Sequence, residues 1–576
     1  MDRTKQPIHA ERQVRIVCVG AGLAGLCFAY KLQRSFQNFE LLILEKNEST
    51  GGVWFENRYP GVACDVPGHN FAFSFEPAVD CTAEYSSGAE VQQYLRNFAK
   101  KHDLEKYCRF NAKVTSASWA NDVGCWEVKF QDLASDHSHV QDIEVNADIF
   151  VNASGPLNQW KWPSIPGLSE YQGELVHTAN WKEDLILDGK KVALIGNGSS
   201  GQQVLPVVQP KASKLLHFIR QPNWITGPFG EPARSYSEQE IADFQEIPGK
   251  LLMKRKKLET VINSSFTSFL SGSPLQSGAQ AALTQFMGNF INENGLKQDL
   301  TPTFSTGCRR PTPGIGYLEA LCQSNTEVVM GEIERITPSG LIDHTGLEYQ
   351  TDVIICATGF DTSFLPSFTV TGLEGQTLHD LWEDDVTDSY FATTVPSMPN
   401  YVVFAGPFSP MVSGSYIRNI EVQTDYILQL VDRYQTENIH SFTPSLSISR
   451  DFTSHCREFL ERTVWKDHCR SHYKADSSNT RLSMWPGSSL HFSDALRELR
   501  AEDYDWVYSG SDRFQWLGNG FSAIGMDAMS DLSWYVTEKD EGPLMSRGAR
   551  RKLLTRTSPQ ENGEDPNVKS EMRMAD

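Results

Sequence analysis

The sequence predicts an α/β fold built from two Rossmann-like dinucleotide-binding domains, the second carrying a helical insertion. Three observations predict it. Apolar strands run into two glycine loops, Gly20-Ala-Gly22-Leu-Ala-Gly25 and Gly196-Asn-Gly198-Ser-Ser-Gly201, about 175 residues apart. Each loop opens a helix-forming run. Each unit also closes on a buried strand with a small-residue turn, Asp148–Gly155 and Asp352–Asp361. One GxGxxG is weak evidence, but two joined by the stretch Tyr171–Gly201 predict an enzyme moving electrons between two dinucleotides.

Bulk composition narrows the function classes. At 576 residues the chain has room for two or three domains, and its 40% hydrophobic and 22% charged content is that of a globular protein. A formal charge of −20 leaves no cationic surplus to neutralise phosphates, which argues against nucleic acid and against an anionic lipid surface. The polar start MDRTKQPIHAERQ shows no secretory signal, and no apolar run reaches the roughly 18 residues of a membrane span. The eleven cysteines are scattered without a C-x-x-C, so reduced thiols and a cytoplasmic location are expected. Cys456, His468, Cys469 and His472 lack the spacing of a zinc site; they read as polar surface near a loop, and no metal is expected.

In the first unit, Arg15–Gly20 reads as a strand and Leu23–Leu32 as a helix. Between them Gly20, Gly22 and Gly25 permit a tight turn, close approach to a pyrophosphate and close helix–strand packing. The helix N-terminus then faces the phosphates with unpaired N–H groups. The next strand, Leu41–Leu44, ends in Glu45, 20 residues after Gly25, where a carboxylate can accept both ribose hydroxyls. It would repel a 2′-phosphate, so this site should prefer FAD or NAD to NADP.

Gly51–Asp65, GGVWFENRYPGVACD, follows at once. It occupies the place where disulfide reductases carry a redox cysteine pair, but only Cys64 is nearby, so a thiol relay has no material. Trp54, Tyr59 and Pro60 read as a rigid apolar wall beside a flat ring, and Gly52, Val53, Trp54, Tyr59 and Asp65 are the candidates here for cofactor binding. Asp65 is equally a turn residue or a functional carboxylate. Ala89–His102 has helical apolar spacing; Lys113–Trp119, Trp126–Gln131 and Gln141–Asn146 alternate as antiparallel strands. The proline-rich link Trp162–Gly167 marks the boundary.

The second unit starts near Gly173, with His177 and Trp181 following at spacings of four. Strand Lys191–Ile195, the loop Gly196, Gly198, Ser199, Ser200, Gly201, helix Gln202–Val208 and strand Lys214–Ile219 repeat the first plan. This time the strand ends in Arg220, 24 residues after Gly196, where a guanidinium suits a 2′-phosphate and hence NADPH. Residues 227–306 turn helix-forming and polar, with helices expected over Ser237–Phe244, Leu251–Phe269 and Gly278–Ile291. The loop Gly307-Cys-Arg309-Arg310-Pro-Thr-Pro-Gly314 is either a solvated basic patch or a catalytic one. Thr326–Val329 and Gly331–Ile336 read as strands, Tyr401–Gly406 as another, and Asn419–Tyr434 as a helix. The expected partition is 1–163 and 391–540 for the first domain, 164–226 and 307–390 for the second, 227–306 for the insertion, and a disordered tail from 541 to 576.

Together these motifs resemble the Baeyer–Villiger monooxygenases, flavoproteins that bind FAD and NADPH. Gly51-Gly52-Val-Trp54…Tyr59-Pro60-Gly61…Asp65 matches the family pattern [A/G]GxWxxxx[F/Y]P[G/M]xxxD at every fixed position. Tyr171-x-Gly173-x-x-x-His177-x-x-x-Trp181-Lys182 resembles FxGxxxHxxxW[P/D], except that Lys182 looks more like the flavin-containing N- or S-hydroxylating relatives. The resemblance implies that NADPH reduces FAD, that O2 forms a C4a-peroxyflavin, and that this attacks a small-molecule ketone to give an ester or lactone. It makes Arg310 of Arg309-Arg310-Pro311 the catalytic arginine, Asp65 its support, Arg309 a phosphate ligand beside Arg220, and His177 and Trp181 governors of domain motion. Ser471-His472 aligns with the family's mobile-loop Ser-Trp, with Trp485 as a candidate replacement. The ending WPGSSLHF…EDYDWVY…WLGNGF looks most like fungal members acting on polyketide or terpenoid secondary metabolites. Heteroatom hydroxylation, and a non-catalytic FAD/NADP-binding protein, remain the alternatives.

Overall fold

A computed structural model describes residues 3–134, 142–229, 231–291, 294–383, 388–474 and 482–539. The tail expected to be disordered, 541–576, lies outside the described residues. Ten parallel strands make two sheets. The chain enters the first with β1 (Val14–Val19), α1 (Leu23–Ser35), β2 (Phe39–Leu44), β3 (Cys108–Arg109) and β4 (Ile149–Asn152). It builds the second from β5 (Glu174–His177), β6 (Lys191–Ile195), α2 (Ser199–Val208), β7 (Lys214–Ile219), β8 (Thr326–Met330) and β9 (Val353–Cys356), then returns to the first as β10 (Tyr401–Val403). The orders are β10-β4-β1-β2-β3 and β8-β7-β6-β9-β5.

The central strands are buried along almost their whole length, β4 and β9 at every position, as expected of parallel strands covered on both faces. Helix α1 packs beneath the first sheet against α3 (Tyr416–Thr436), so the late return of the chain completes the first core. Each unit also inserts a small antiparallel sheet before its closing strand. Ala112–Ala120, Cys125–Asp132 and Asp142–Ala147 precede β4; Ile333–Thr337, Gly340–Asp343 and Glu348–Gln350 precede β9.

Two elements differ from expectation for local reasons. The strand read over Tyr401–Gly406 stops at Val403, because the chain turns and Ala405 takes a φ of 52°. The single helix expected over Leu251–Phe269 is α-helical only over Lys250–Asn263 and tightens to a 3₁₀ turn over Ser264–Phe269. There Ser264, Ser265 and Ser268 donate to carbonyls three residues back, which favours the tighter winding. The insertion also holds Glu238–Glu246 and Pro274–Phe290. It is pinned to the first unit by Arg255, which donates to the carbonyls of His69, Ala72, Phe73 and Ser74, and by Lys254, 2.8 Å from buried Glu84.

Residues 3–10 and 517–539 belong to a small separate unit, tied internally by Ile8 N–H to Phe521 O and Asn519 N–H to Gln6 O. Among the described residues no helix is long and apolar enough to cross a membrane.

Candidate active site

The first glycine loop makes a cradle that any side chain would fill. A Cβ on Gly20, at φ +102°, would lie 2.7 Å from Ala153 O, and one on Gly25 would lie 2.0 Å from Gly20 O. Gly22 faces Gly52, with 3.4 Å from a Gly22 Cβ to Gly52 Cα. Glu45 closes the cradle. Its carboxylate is 3% exposed and accepts the N–H groups of Ala21 at 2.7 Å and Asn47 at 2.9 Å. Burial raises its pKa, and those two N–H groups pull it back. Each oxygen keeps acceptor capacity for a ribose hydroxyl. A bare floor, a helix N-terminus and an acid at the strand end fit an adenine dinucleotide without a 2′-phosphate, as FAD is.

From this cradle Gly51–Asp65 crosses to the second unit. Gly51 N–H donates to Ala21 O, and Val53–Glu56 forms a single helical turn, with Val53 40% exposed. Trp54 stands edge-on to Phe71, ring centroids 5.0 Å apart. Tyr59 is buried in the second core, where its hydroxyl donates to Gln203 Oε1 at 2.8 Å on α2 and neighbours Ser200. A Cβ on Gly61 would lie 2.3 Å from Gln203 O, so the strap touches α2 directly. Gln203 answers by donating Nε2 to Ala63 O at 2.9 Å.

The strap ends at Asp65, and Asp65 meets Arg310. Arg310 Nε donates to Oδ2 at 2.6 Å and Nη2 to Oδ1 at 3.0 Å, a bidentate fork, while Nη1 donates to Met411 O at 3.1 Å. Burial alone would raise the Asp65 pKa, but Arg310 outweighs it and holds the carboxyl below its ordinary value. Asp65 in turn raises the Arg310 pKa, so the guanidinium is permanently charged. Asp65 and Met411 take three of its five N–H groups, leaving donors for neighbouring Tyr473 and for an anion. His472 lies beside this pair. Burial first, then Arg310, pushes its pKa down to about 3, so it is a neutral imidazole. Trp485 has aromatic neighbours of its own. It is 2% exposed, packed among Phe391, Phe452 and Phe492, and donates Nε1 to His491 Nδ1 at 3.0 Å. Its aromatic neighbours make this candidate replacement for the mobile-loop tryptophan a residue of the first core.

The second loop repeats the first almost atom for atom. A Cβ on Gly196 would lie 2.4 Å from Ala357 O, one on Gly201 would lie 2.1 Å from Gly196 O, and one on Gly198 would meet nothing within 4 Å. Ser199 Oγ lies 2.8 Å from Thr312 Oγ1, which anchors the loop to the arginine segment. Arg220 is half-exposed, with Glu332 at 4.0 Å. Arg309 donates Nη1 to Gln221 O at 3.2 Å and Pro222 O at 3.1 Å; burial, then Arg220, lowers its pKa to about 10. A cationic rim on a cradle of this shape fits the 2′-phosphate of NADPH.

Gly173 stands just before the edge strand β5, His177 ends that strand, and Trp181 follows the turn after it. A Cβ on Gly173 would lie 2.7 Å from Asp352 O, and Trp181 packs against the second core. His177 is fully buried and stacks on Trp160 at 4.8 Å. Its Nδ1 accepts Ala179 N–H at 3.1 Å, so the proton sits on Nε2, which donates to Thr358 Oγ1 at 3.2 Å. Burial lowers its pKa to about 4. Lys182 points away as a surface ion pair with Glu174 at 2.8 Å.

One expectation is overturned. The thiols are not all reduced, for Cys308 and Cys469 form a disulfide, Cα–Cα 6.2 Å. The fold lays segment 307–314 against the loop around 469, and a pairing across 161 residues leaves no spacing motif to read. Cys456 and Cys469 are fully buried, so the reading of that cluster as polar surface also fails for its cysteines. Met411, Gln203, Arg470 and Tyr473 are likewise invisible to motif reading, since each acts through a contact between distant segments.

A family model described as flavin-binding monooxygenase-like matches residues 13–247. The FAD-binding monooxygenase tazF of Aspergillus terreus is 38% identical over 544 residues, covering 92% of this chain and 96% of that protein. A Baeyer–Villiger monooxygenase of Streptomyces coelicolor is 29% identical, with 86% of this chain and 93% of that protein covered. In fold, a cyclohexanone monooxygenase from Rhodococcus sp. Phi1, solved with NADP+, is similar at a TM-score of 0.74 and 24% identity, over 87% of this chain and 100% of that one.

Proposed function

The chain belongs to the flavin-binding monooxygenases, with Baeyer–Villiger monooxygenases among its relatives, and from that premise we propose that it inserts one oxygen atom beside a ketone carbonyl to give an ester or lactone. FAD is assigned to the Glu45 cradle and NADPH to the Arg220 cradle; when bound they supply oxygen activation and the reducing hydride. The proposed flavin part is 1–163 with 391–540, the nicotinamide part 164–226 with 307–390, and 227–306 shapes the substrate side. The proposed ketone is one of fungal secondary metabolism, on the resemblance of the ending WPGSSLHF…EDYDWVY…WLGNGF to fungal members and the likeness to a FAD-binding monooxygenase of Aspergillus terreus.

The observation that carries this reading is the Arg310–Asp65 fork at the joint of the two cradles. Arg310 faces the place where both units meet, fixed on one side by Asp65 and on the other by Met411 O. As the ketone carbon is attacked, negative charge collects on its oxygen, and a fixed guanidinium stabilises that charge without reorganising. Asp65 keeps the guanidinium aimed. Because His472 is neutral, it adds no second positive charge there and competes with no anion.

Arg310→Ala should therefore still show NADPH-dependent bleaching of the yellow protein, while ester formation from a ketone panel falls about 10²–10³-fold, roughly 3–4 kcal/mol. Ester formation at the unmodified rate would remove Arg310 from the mechanism. A thioether offered in the same assay separates the heteroatom-oxidising alternative, and absence of NADPH-dependent O2 uptake would mark a non-catalytic binding protein.

A further inference from the structure

The loop that presents His472 also brings a third arginine to the second cradle. Gln221, the residue after Arg220, joins three segments. Its carbonyl accepts Arg309 Nη1 at 3.2 Å and Asn197 Nδ2 at 3.1 Å, and its side-chain oxygen accepts the Arg470 N–H at 3.2 Å. Arg220, Arg309 and Arg470 thus converge at the carboxyl end of β7. Among the described residues the only carboxylate ion-paired with any of them is Glu332, at the 4.0 Å limit from Arg220. The like charges feel one another: burial and then Arg470 lower the Arg220 pKa, and burial and then Arg220 lower that of Arg309. Three guanidiniums with one distant counter-charge form a site that a dianion completes.

Arg470 is held there by its backbone N–H on Gln221 Oε1 and by its neighbour in the chain. Cys469 is bonded to Cys308, and Cys308 precedes Arg309. One covalent link therefore fastens the backbone of Arg470 beside that of Arg309. Lys474 closes the same loop by donating Nζ to Asp467 O at 2.6 Å and Cys469 O at 3.0 Å.

We propose that Arg470 is a third ligand of the nucleotide 2′-phosphate, a determinant of preference for NADPH over NADH, and that the Cys308–Cys469 disulfide holds it in register. This rests on the reading that the second cradle takes NADPH.

The test is calorimetric titration of the FAD-loaded protein with 2′,5′-ADP and with 5′-AMP. The unmodified protein should bind 2′,5′-ADP much more tightly. Arg470→Ala, a change at an exposed side chain, should weaken 2′,5′-ADP about tenfold and leave 5′-AMP unchanged. Reducing the disulfide with dithiothreitol, verified by thiol titration, should weaken 2′,5′-ADP alone in the same way. If the unmodified protein does not distinguish the two nucleotides, the NADPH reading itself falls. If it distinguishes them and Arg470→Ala does so equally well, the role of Arg470 falls. Unchanged 2′,5′-ADP binding after reduction overturns the part assigned to the disulfide.

Discussion

The two glycine loops have the same backbone and opposite chemistry. Gly20 sits against Ala153 O as Gly196 sits against Ala357 O, and Gly25 against Gly20 O as Gly201 against Gly196 O. The difference lies at the end of the following strand. Glu45 is buried and oriented by two backbone N–H groups, each oxygen keeping room to accept a further donor; Arg220 is half-exposed and stands among cations. On the proposed assignment, a shared cradle fixes where a pyrophosphate lies, and the charge at the strand end decides which ribose is accepted. The acidic site is electrostatically complete without its ligand. The cationic one is complete only with an anion.

The largest expected effect comes from breaking each cradle in turn. Gly25→Ala puts a Cβ 2.0 Å from Gly20 O, and the chain should purify without flavin, read as absorbance per protein. Gly201→Ala meets a comparable 2.1 Å contact with Gly196 O, yet should keep its flavin and lose only bleaching by NADPH. Flavin lost from both, or from neither, would end the division of labour between the cradles. Next, Arg220→Glu gives the second site the sign of the first. KM for NADPH should rise about 100-fold and that for NADH should not, in line with about 3 kcal/mol for a charge-assisted contact. A parallel rise for both cofactors would count against a phosphate role.

The smallest effect concerns acid. The closing turn of the first unit is held by Asn152, which accepts the Ser154 hydroxyl at 2.6 Å and does not titrate. The matching turn of the second is held by His177 through Thr358. Burial lowers the His177 pKa to about 4, below the roughly 6.5 of an unfolded histidine, so the unfolded chain binds the proton first. The stability tied to neutral His177 is whole above about pH 6.5 and drains away as pH falls towards 4. Denaturant titrations of His177→Gln between pH 7 and 4 should show a shallower acid decline than the parent. Parallel declines would mean the imidazole is not the acid-sensitive group.

Much of this frame is legible without coordinates. Strands Lys191–Ile195 and Lys214–Ile219 have the bounds their apolar runs predict, and the cradle glycines and Glu45 stand where spacing puts them. These are local patterns, set by sterics and burial over a few residues. The ends that slipped, at Val403 and Asn263, slipped because a left-handed residue and a run of serines bend the chain against its apolar pattern.

What sequence left open turns on long-range approach. Asp65 read equally as a turn residue or a functional one, and Arg309-Arg310 as a patch or a site; 245 residues separate the partners of the fork that joins them. The Cys308–Cys469 bond, the burial of Trp485 and the approach of Arg470 to Gln221 are of the same kind. The sequence by itself determined two nucleotide cradles of opposite charge, because each is written within a single strand–loop–helix–strand run. Only the tertiary structure decided that one fifteen-residue strap, Gly51–Asp65, connects both cradles and delivers its last carboxylate to Arg310. Which charges meet across hundreds of residues depends on where the chain returns, and no local pattern encodes that.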